Sequence, residues 1–383
     1  MTERRLHVLY MTTQWPHPAE PVDGPFIREH ALAAALYADV RVVHLLREPG
    51  KHGLYAVESF EDEGLPVRRV RYRRFPRPLS YIAFLIGALR TARSLTSDRK
   101  PDVIHAHSFL SAVPALVLGK LMRRPVVYTE HWTIFTSANP GTLSRLHDVL
   151  ANAVIGRADL VLPVSDDLRR ALAGRKDGRF EVVANVVDTE LFHPGPRIAN
   201  GTIRLLTVGL LSTERKGLDY LLQALAIVAR ARTDVTLDVV GEGELRPGYE
   251  ALASELGLGD IVRFHGYRDK QTIAAMMREA DLFVLGSRFE NNPCVVIEAM
   301  ASGLPVVATR VGGVPELVTA DVGIVAEPQS PESLAQAIER ALDRLPSYDP
   351  ASMSRAASER FSRNHVGAHL AGIYARLALN ADS

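Results

Sequence analysis

A single cysteine, Cys294, stands among 383 residues. No intramolecular disulfide can form and no cysteine-built metal cluster is available, so a reducing cytoplasm is the expected compartment. Long hydrophobic runs are missing too. The longest uncharged apolar stretches, Leu79 to Leu89 and Phe109 to Gly119, fall well short of the roughly 20 residues that a membrane-spanning helix needs. Any membrane contact is therefore expected to be peripheral, at the inner face. Near the N-terminus the apolar stretch Leu6 to Met11 contains His7 and soon meets Gln14-Trp15-Pro16. It is too short for the apolar region of a signal peptide and reads as a first strand. Nor is charge of one sign in excess: 45 Lys+Arg stand against 44 Asp+Glu, a net +1. Residues 1 to 195 carry 26 basic and 21 acidic side chains, and the remainder 19 and 23. The mildly basic first half fits an anionic partner or surface without requiring one.

With 47% hydrophobic and 23% charged residues, the chain suits two soluble globular domains of roughly 150 to 200 residues each. Short apolar β-rich runs alternate with helical patterns in both halves, which places the fold in the α/β class. Strands are expected at Leu6–Met11, Val40–Leu46, Pro101–His107, Pro125–Thr129, Asp159–Val164 and Phe180–Asn185. A second set is expected at Ile203–Val208, Thr236–Val240, Ile261–His265, Asp281–Leu285, Leu304–Thr309 and Val322–Val325. Between the sets, His193 to Gly201 is rich in Pro and Gly and reads as a linker. The expected domains are therefore residues 1–195 and 196–362.

Several stretches carry chemistry. Residues 47 to 80 read as irregular, with Arg68, Arg69, Arg71, Arg73, Arg74 and Arg77 interleaved with Tyr72 and Phe75. Their alternation predicts an edge strand with a basic face, either solvated or a patch for anionic lipid or a pyrophosphate-linked acceptor. No recognition motif for nucleic acid accompanies the charge. His105 and His107 share one face at the end of a strand. Two histidines without a third ligand nearby read as lining or packing residues rather than a metal site. Gly241-Glu242-Gly243 follows a strand but lacks the third glycine of a dinucleotide fingerprint. Asp23-Gly24 is either a plain turn or a point of close approach to a ligand.

The stretch that organises the chain is Ser287 to Glu316, SRFENNPCVVIEAMASGLPVVATRVGGVPE. It runs from a buried strand into a polar loop, then a short helix beginning near Pro293, a second strand, and the glycine pair Gly312-Gly313. A parallel sheet places such loops at the carboxyl ends of its strands, where ligands bind, and the helix N-terminus suits a phosphate. Glu290 and Glu298 are separated by seven residues and flanked by apolar ones. Each either pairs locally or accepts hydroxyl hydrogen bonds.

Glu-x7-Glu followed by GLPVVATRVGGVPELV resembles the C-terminal signature of retaining GT-B glycosyltransferases of the family-4 type. The resemblance implies two Rossmann-like domains facing a cleft, with the final helix, about 363–383, packing back on the first. It further implies a donor site for a nucleotide diphosphate sugar in the second domain, an acceptor side in the first, and no essential metal or other cofactor. Gly209 to Gly217, GLLSTERKG, is similar to the family's second signature. Lys216 matches its lysine, Leu210 stands where arginine is common, and Arg215 is an available replacement. Gly241, Gly243, Gly266 and Tyr267 fall where the family lines the nucleotide. The resemblance also implies that Asn291, Asn292, Cys294 and Val295 assist at the helix start, and that Glu298 takes the ribose and Glu290 the sugar.

In the first domain, the resemblance puts His131 of Thr129-Glu130-His131 at the donor sugar, Gly24 at a close approach, and His107 and Glu130 on the acceptor side. Asn185 and Asp188 belong to a segment like the family's N-G-V-D-x-x-x-F, with Val186 in place of glycine. The expected activity is transfer of a sugar from a UDP- or GDP-sugar to an acceptor hydroxyl with retention, in glycan, glycolipid or cell-surface polysaccharide synthesis. A nucleotide-sugar epimerase or hydrolase and a non-catalytic sugar-nucleotide binding protein are the rival readings.

Overall fold

The computed structural model describes residues 5–17, 22–48, 53–73, 79–136, 139, 142–196 and 201–382. The chain forms two compact units: residues 1–135, 140–186 and 363–383 in one, 136–139 and 187–362 in the other. The crossing at 186/187 precedes the proline-rich stretch, of which residues 197–200 lie outside the described residues. Val187 is already bound to the second unit, its N–H donating to the Phe361 carbonyl at 2.8 Å.

In the first unit, seven strands form one sheet: β1 (His7–Thr12), β2 (Asp39–Glu48), β3 (Tyr55–Asp62), β4 (Leu65–Arg73), β5 (Val103–His107), β6 (Val126–Glu130) and β7 (Leu160–Pro163). Their order is β3-β4-β2-β1-β5-β6-β7. Strands β1, β5 and β6 are buried throughout, as strands covered on both faces must be. Helices α1 (Pro25–Ala35), α2 (Leu79–Leu95), α3 (Phe109–Met122), α4 (Arg145–Ile155) and α5 (Asp166–Ala173) connect them. The C-terminal helix Arg363–Asp382 belongs to the same unit. It buries Leu370, Ile373 and Tyr374 in a core shared with Val8, Ile27 and Val127, and its Arg363 pairs with the buried Glu29 of α1 at 2.8 Å.

Two local expectations are corrected. Residues 55–73 are a regular hairpin, closed by Glu63 and Gly64, both at positive φ (46° and 81°), the conformation that two-residue hairpin turns require. Strand β4 is therefore interior, and β3 is the edge. Nor does β4 present a row of free arginines. Arg69 is buried, donating to His44 Nδ1 at 3.0 Å and lying over the Phe60 ring at 4.6 Å. Arg68 is bonded to Ser94, and Arg74, Phe75 and Arg77 fall outside the described residues. The strand expected at 180–185 is a single bridge, Phe180 to Val161. The segment runs beside β7 with Glu181 and Val183 donating to it, while His369 and Arg376 of the C-terminal helix hold Glu181 from the other side, each at 2.6 Å.

The second unit holds a six-stranded, wholly parallel sheet: β8 (Ile203–Val208), β9 (Val235–Val240), β10 (Val262–Gly266), β11 (Leu282–Leu285), β12 (Val306–Thr309) and β13 (Gly323–Ala326). Its order is β10-β9-β8-β11-β12-β13. Helices α6 (Leu218–Ala231), α7 (Arg246–Glu255), α8 (Lys270–Glu279), α9 (Cys294–Ala301), α10 (Val314–Leu317), α11 (Pro331–Asp343) and α12 (Pro350–Phe361) cover it. On α6 the apolar spacing of Leu218, Leu221, Leu222, Leu225 and Val228 is the buried face. Among the described residues no helix is long and apolar enough to cross a membrane.

Candidate active site

Open parallel sheets bind ligands outside the carboxyl ends of strands, where the strand order reverses. In the second unit that point lies between β8 and β11. The two loops leaving it are fused: Arg288 N–H donates to the Arg215 carbonyl at 2.8 Å, and a Cβ on Gly217 would lie 2.0 Å from the Gly286 oxygen. This fusion brings Lys216 to Glu290. Lys216 Nζ donates to Glu290 Oε1 at 2.6 Å, and Ser287 Oγ donates to the same oxygen at 2.9 Å. Glu290 is 4% exposed. Burial alone would raise its pKa, but Lys216 and Arg215 outweigh the desolvation and hold the carboxyl below its ordinary range.

Glu290 leads directly into α9. Pro293 is the N-cap rather than the first helical residue, and the first helical hydrogen bonds run from Val296 and Ile297 to its carbonyl. The N–H groups of Cys294 and Val295 therefore stand at the start of the helix, where its dipole favours an anion. Asn291 and Asn292 are buried beside it. One turn into the helix, Glu298 is 8% exposed, with Lys270 Nζ of α8 3.7 Å from its carboxylate.

The loops after β9 and β10 close on the same edge. Gly241 N–H donates to the Gly266 carbonyl at 2.9 Å and Leu211 N–H to the Glu242 carbonyl at 2.9 Å. Gly241 has φ 147°, and a Cβ there would sit 1.8 Å from the Gly209 carbonyl oxygen; only glycine permits this approach. Gly243 packs equally close to Leu211. Tyr267 stands exposed just beyond Gly266, and Leu210 is also exposed.

In the first unit the order reverses at β1, between β2 and β5, and here the sequence foresaw only part of the arrangement. His105, His107 and His131 form a stack, with ring centroids 4.4 Å and 5.3 Å apart. His107 Nδ1 and His131 Nε2 share a hydrogen bond at 3.0 Å. His105 is held by the Tyr374 hydroxyl and the Thr129 hydroxyl, each at 2.7 Å. His30 of α1 meets both His107 and His131 edge-on. Burial drives all four imidazoles toward the neutral form: His30 is pushed down to about 4, and His105, His107 and His131 lie well below the ordinary value. The rings lie face to face, which is a packing arrangement rather than a convergence of nitrogens on one point. His30 and Tyr374 escaped the sequence reading, although a buried Glu29-His30 pair inside the apolar helix PFIREHALAAA was a usable signal.

Glu130 is fully buried and accepts from the Tyr128 hydroxyl and from the N–H groups of His131 (2.7 Å) and Trp132 (2.8 Å). It fixes the loop that carries His131. Desolvation pushes its pKa up to about 7. Gly24, at φ 73°, lies where a Cβ would be 2.7 Å from the Gln14 carbonyl carbon, so its close approach is to the chain's own loop. Asn185 lies beside His30 and His131. Asp188 falls in the second unit, where its carboxylate accepts from the N–H groups of Glu190 and Leu191.

Comparison with known proteins identifies the family. Residues 188–360 match the model of glycosyl transferases group 1, and residues 29–191 that of glycosyltransferase family 4. The glycogen synthase of Mycobacterium tuberculosis is 30% identical over 370 residues, covering 91% of this chain and 88% of that protein. The chain is a group 1 glycosyltransferase. The D-inositol 3-phosphate glycosyltransferase of Corynebacterium aurimucosum is 31% identical over 326 residues, covering 78% of this chain and 76% of that protein. Among solved structures, sucrose-phosphate synthase from Thermosynechococcus elongatus superposes with a TM-score of 0.78 at 21% identity, over 99% of the glycosyltransferase and all of that chain. Anabaena HepE in complex with UDP and glucose gives 0.74 at 22% identity, over 97% and 100%. The fold of this glycosyltransferase is therefore GT-B.

Proposed function

We propose that this glycosyltransferase takes a UDP-hexose or GDP-hexose on the second unit and transfers the hexose to an acceptor hydroxyl with retention at the anomeric carbon. The observation that carries the reading is the buried Lys216–Glu290 pair, set between the β8 and β11 loops and leading straight into the N-terminus of α9. The N–H groups of Cys294 and Val295, with Lys216, hold the diphosphate; Glu298 accepts the ribose hydroxyls and Glu290 those of the sugar. HepE, whose fold is similar, has been solved with UDP-glucose, which supports a nucleotide-sugar donor.

The bond from the anomeric carbon to the diphosphate oxygen breaks with its electron pair going to that oxygen. Fixed positive groups aimed there lower the barrier. The acceptor oxygen forms the new bond on the same face and releases its proton to the departing diphosphate. Lysine and backbone dipoles carry the charge in this reading, so no metal is required. The test is turnover of UDP-glucose, UDP-galactose and GDP-mannose against a panel of sugar and lipid-linked acceptors, with the anomeric configuration read by NMR. Retained glycoside, formed equally well in EDTA, is expected. Free hexose released without acceptor dependence would mark a hydrolase instead, and activity abolished by EDTA and restored by Mg²⁺ would overturn the metal-free reading.

A further inference from the structure

We propose that Arg288 is a positioning residue of the donor site: it reaches from the β11 loop to both sides of Lys216 and thereby sets the approach of Lys216 to Glu290 on which nucleotide binding depends. The inference rests on the donor reading above. Lys216 and Glu290 belong to different loops, and a bond of 2.6 Å between them tolerates little movement of either backbone. One side chain meets that requirement from both ends.

Arg288 stands two residues before Glu290 in the chain. On the near side of Lys216, its N–H donates to the Arg215 carbonyl at 2.8 Å and its guanidinium to the Glu214 carbonyl at 3.0 Å, with the Glu214 carboxylate 3.4 Å away. Glu214 and Arg215 form one short turn with Lys216, and the Glu214 carbonyl also accepts from Gly217 N–H at 2.9 Å, which closes that turn. On the far side, the guanidinium fork grips both oxygens of Asp219 at 2.8 and 2.9 Å. It lies over the Tyr220 ring at 4.4 Å. Asp219 and Tyr220 open α6, so the residues before and after Lys216 are tied to the loop that delivers Glu290. A planar fork can hold a carboxylate with two parallel bonds and serve a carbonyl beside it, which a lysine ammonium cannot reproduce. The two side chains are 20% and 24% exposed, sheltered enough for the pair to be worth more than one on the open surface. Because Asp219 and Glu214 occupy the fork, Arg288 acts through Lys216 rather than by touching a phosphate.

The test is calorimetric binding of UDP and GDP to the whole chain, comparing wild type with Arg288→Met, Arg288→Lys, Asp219→Ala and the double variant Arg288→Met/Asp219→Ala, with each titration run below the melting temperature of its variant. Arg288→Met and Asp219→Ala should each weaken the bound nucleotide about tenfold, the scale of one charge-assisted contact. The double variant should lose no more than either single one, and Arg288→Lys should recover only part. A lowered melting temperature with unchanged nucleotide affinity would reduce Arg288 to a structural brace and overturn the proposal. Weakening by Arg288→Met but not by Asp219→Ala would mean that the guanidinium contacts the nucleotide itself, and losses that add in the double variant would show that the two residues do not act as one device; either result overturns the proposal and leaves the donor site standing. A wild type that binds neither UDP nor GDP would overturn the donor reading and this inference with it.

Discussion

Lys216 and Glu290 are 74 residues apart in the chain and 2.6 Å apart in space. Both were singled out in the sequence, Lys216 in a glycine-bracketed loop and Glu290 in a Glu-x7-Glu pair, each through its resemblance to a family signature. Their bond was not, because it exists only where parallel strands β8 and β11 become neighbours. The same limit hid the histidine stack: His105 and His107 announce themselves by alternation, whereas His30 and Tyr374 join them only through packing of α1 and the C-terminal helix. Removing one partner of a buried pair leaves an uncompensated charge, whereas replacing both removes the desolvation cost as well. Lys216→Ala is therefore expected to destabilise the second unit by roughly 3 kcal/mol, and Lys216→Met/Glu290→Leu by much less, in urea titrations arranged as a double-mutant cycle. With Lys216→Met and Glu290→Leu measured singly, a loss in the double variant equal to the sum of the two single losses would show that the pair is not coupled.

Elements were read most securely where an apolar run is bounded by turn residues, as in β8, β11 and β12. The β3–β4 hairpin was missed because its signal is one Glu63-Gly64 turn between charged strands, and the arginine alternation of β4 mimics a solvated edge. Gly241 shows how little of the loop geometry is visible beforehand. Its sequence context, Gly-x-Gly, fits several motifs, but its physical requirement is contact with the Gly209 carbonyl. Gly241→Ala is expected to separate the β8 and β9 loops and to cost on the order of 3 kcal/mol from strain and displacement. The check is a thermal melt of the variant. A melting temperature matching the wild type would mean that the loops have room the structure does not show.

The molecule as a whole contains two α/β units, one sheet wholly parallel and the other parallel but for the antiparallel β3–β4 hairpin, and the α/β class follows from alternating apolar strands and helical patterns. Their pH responses should differ. Six histidines of the first unit, His7, His30, His44, His105, His107 and His131, have lowered pKa values through burial. The unfolded chain then binds more protons than the folded one below the ordinary histidine value of about 6.5, so stability falls as pH is lowered through that range. Glu130 acts in the opposite sense. Its folded pKa of about 7 exceeds the ordinary carboxyl value of about 4.5, so its contribution is present at low pH and lost as pH rises toward 7. The histidines outnumber it, and the first unit should melt at lower temperature at pH 5 than at pH 7. Glu130→Gln should raise the melting temperature at pH 8 more than at pH 5. Scanning calorimetry across this range decides the matter, and a flat profile would contradict the buried neutral stack.

The most direct test of the donor site is calorimetric titration of the whole protein with UDP and with GDP, without added metal, for wild type and Glu298→Ala. Binding of one nucleotide by the wild type and its loss in the variant are the predicted results. Absence of binding to either nucleotide, or binding that Glu298→Ala leaves unchanged, would contradict the placement of the nucleotide at the start of α9.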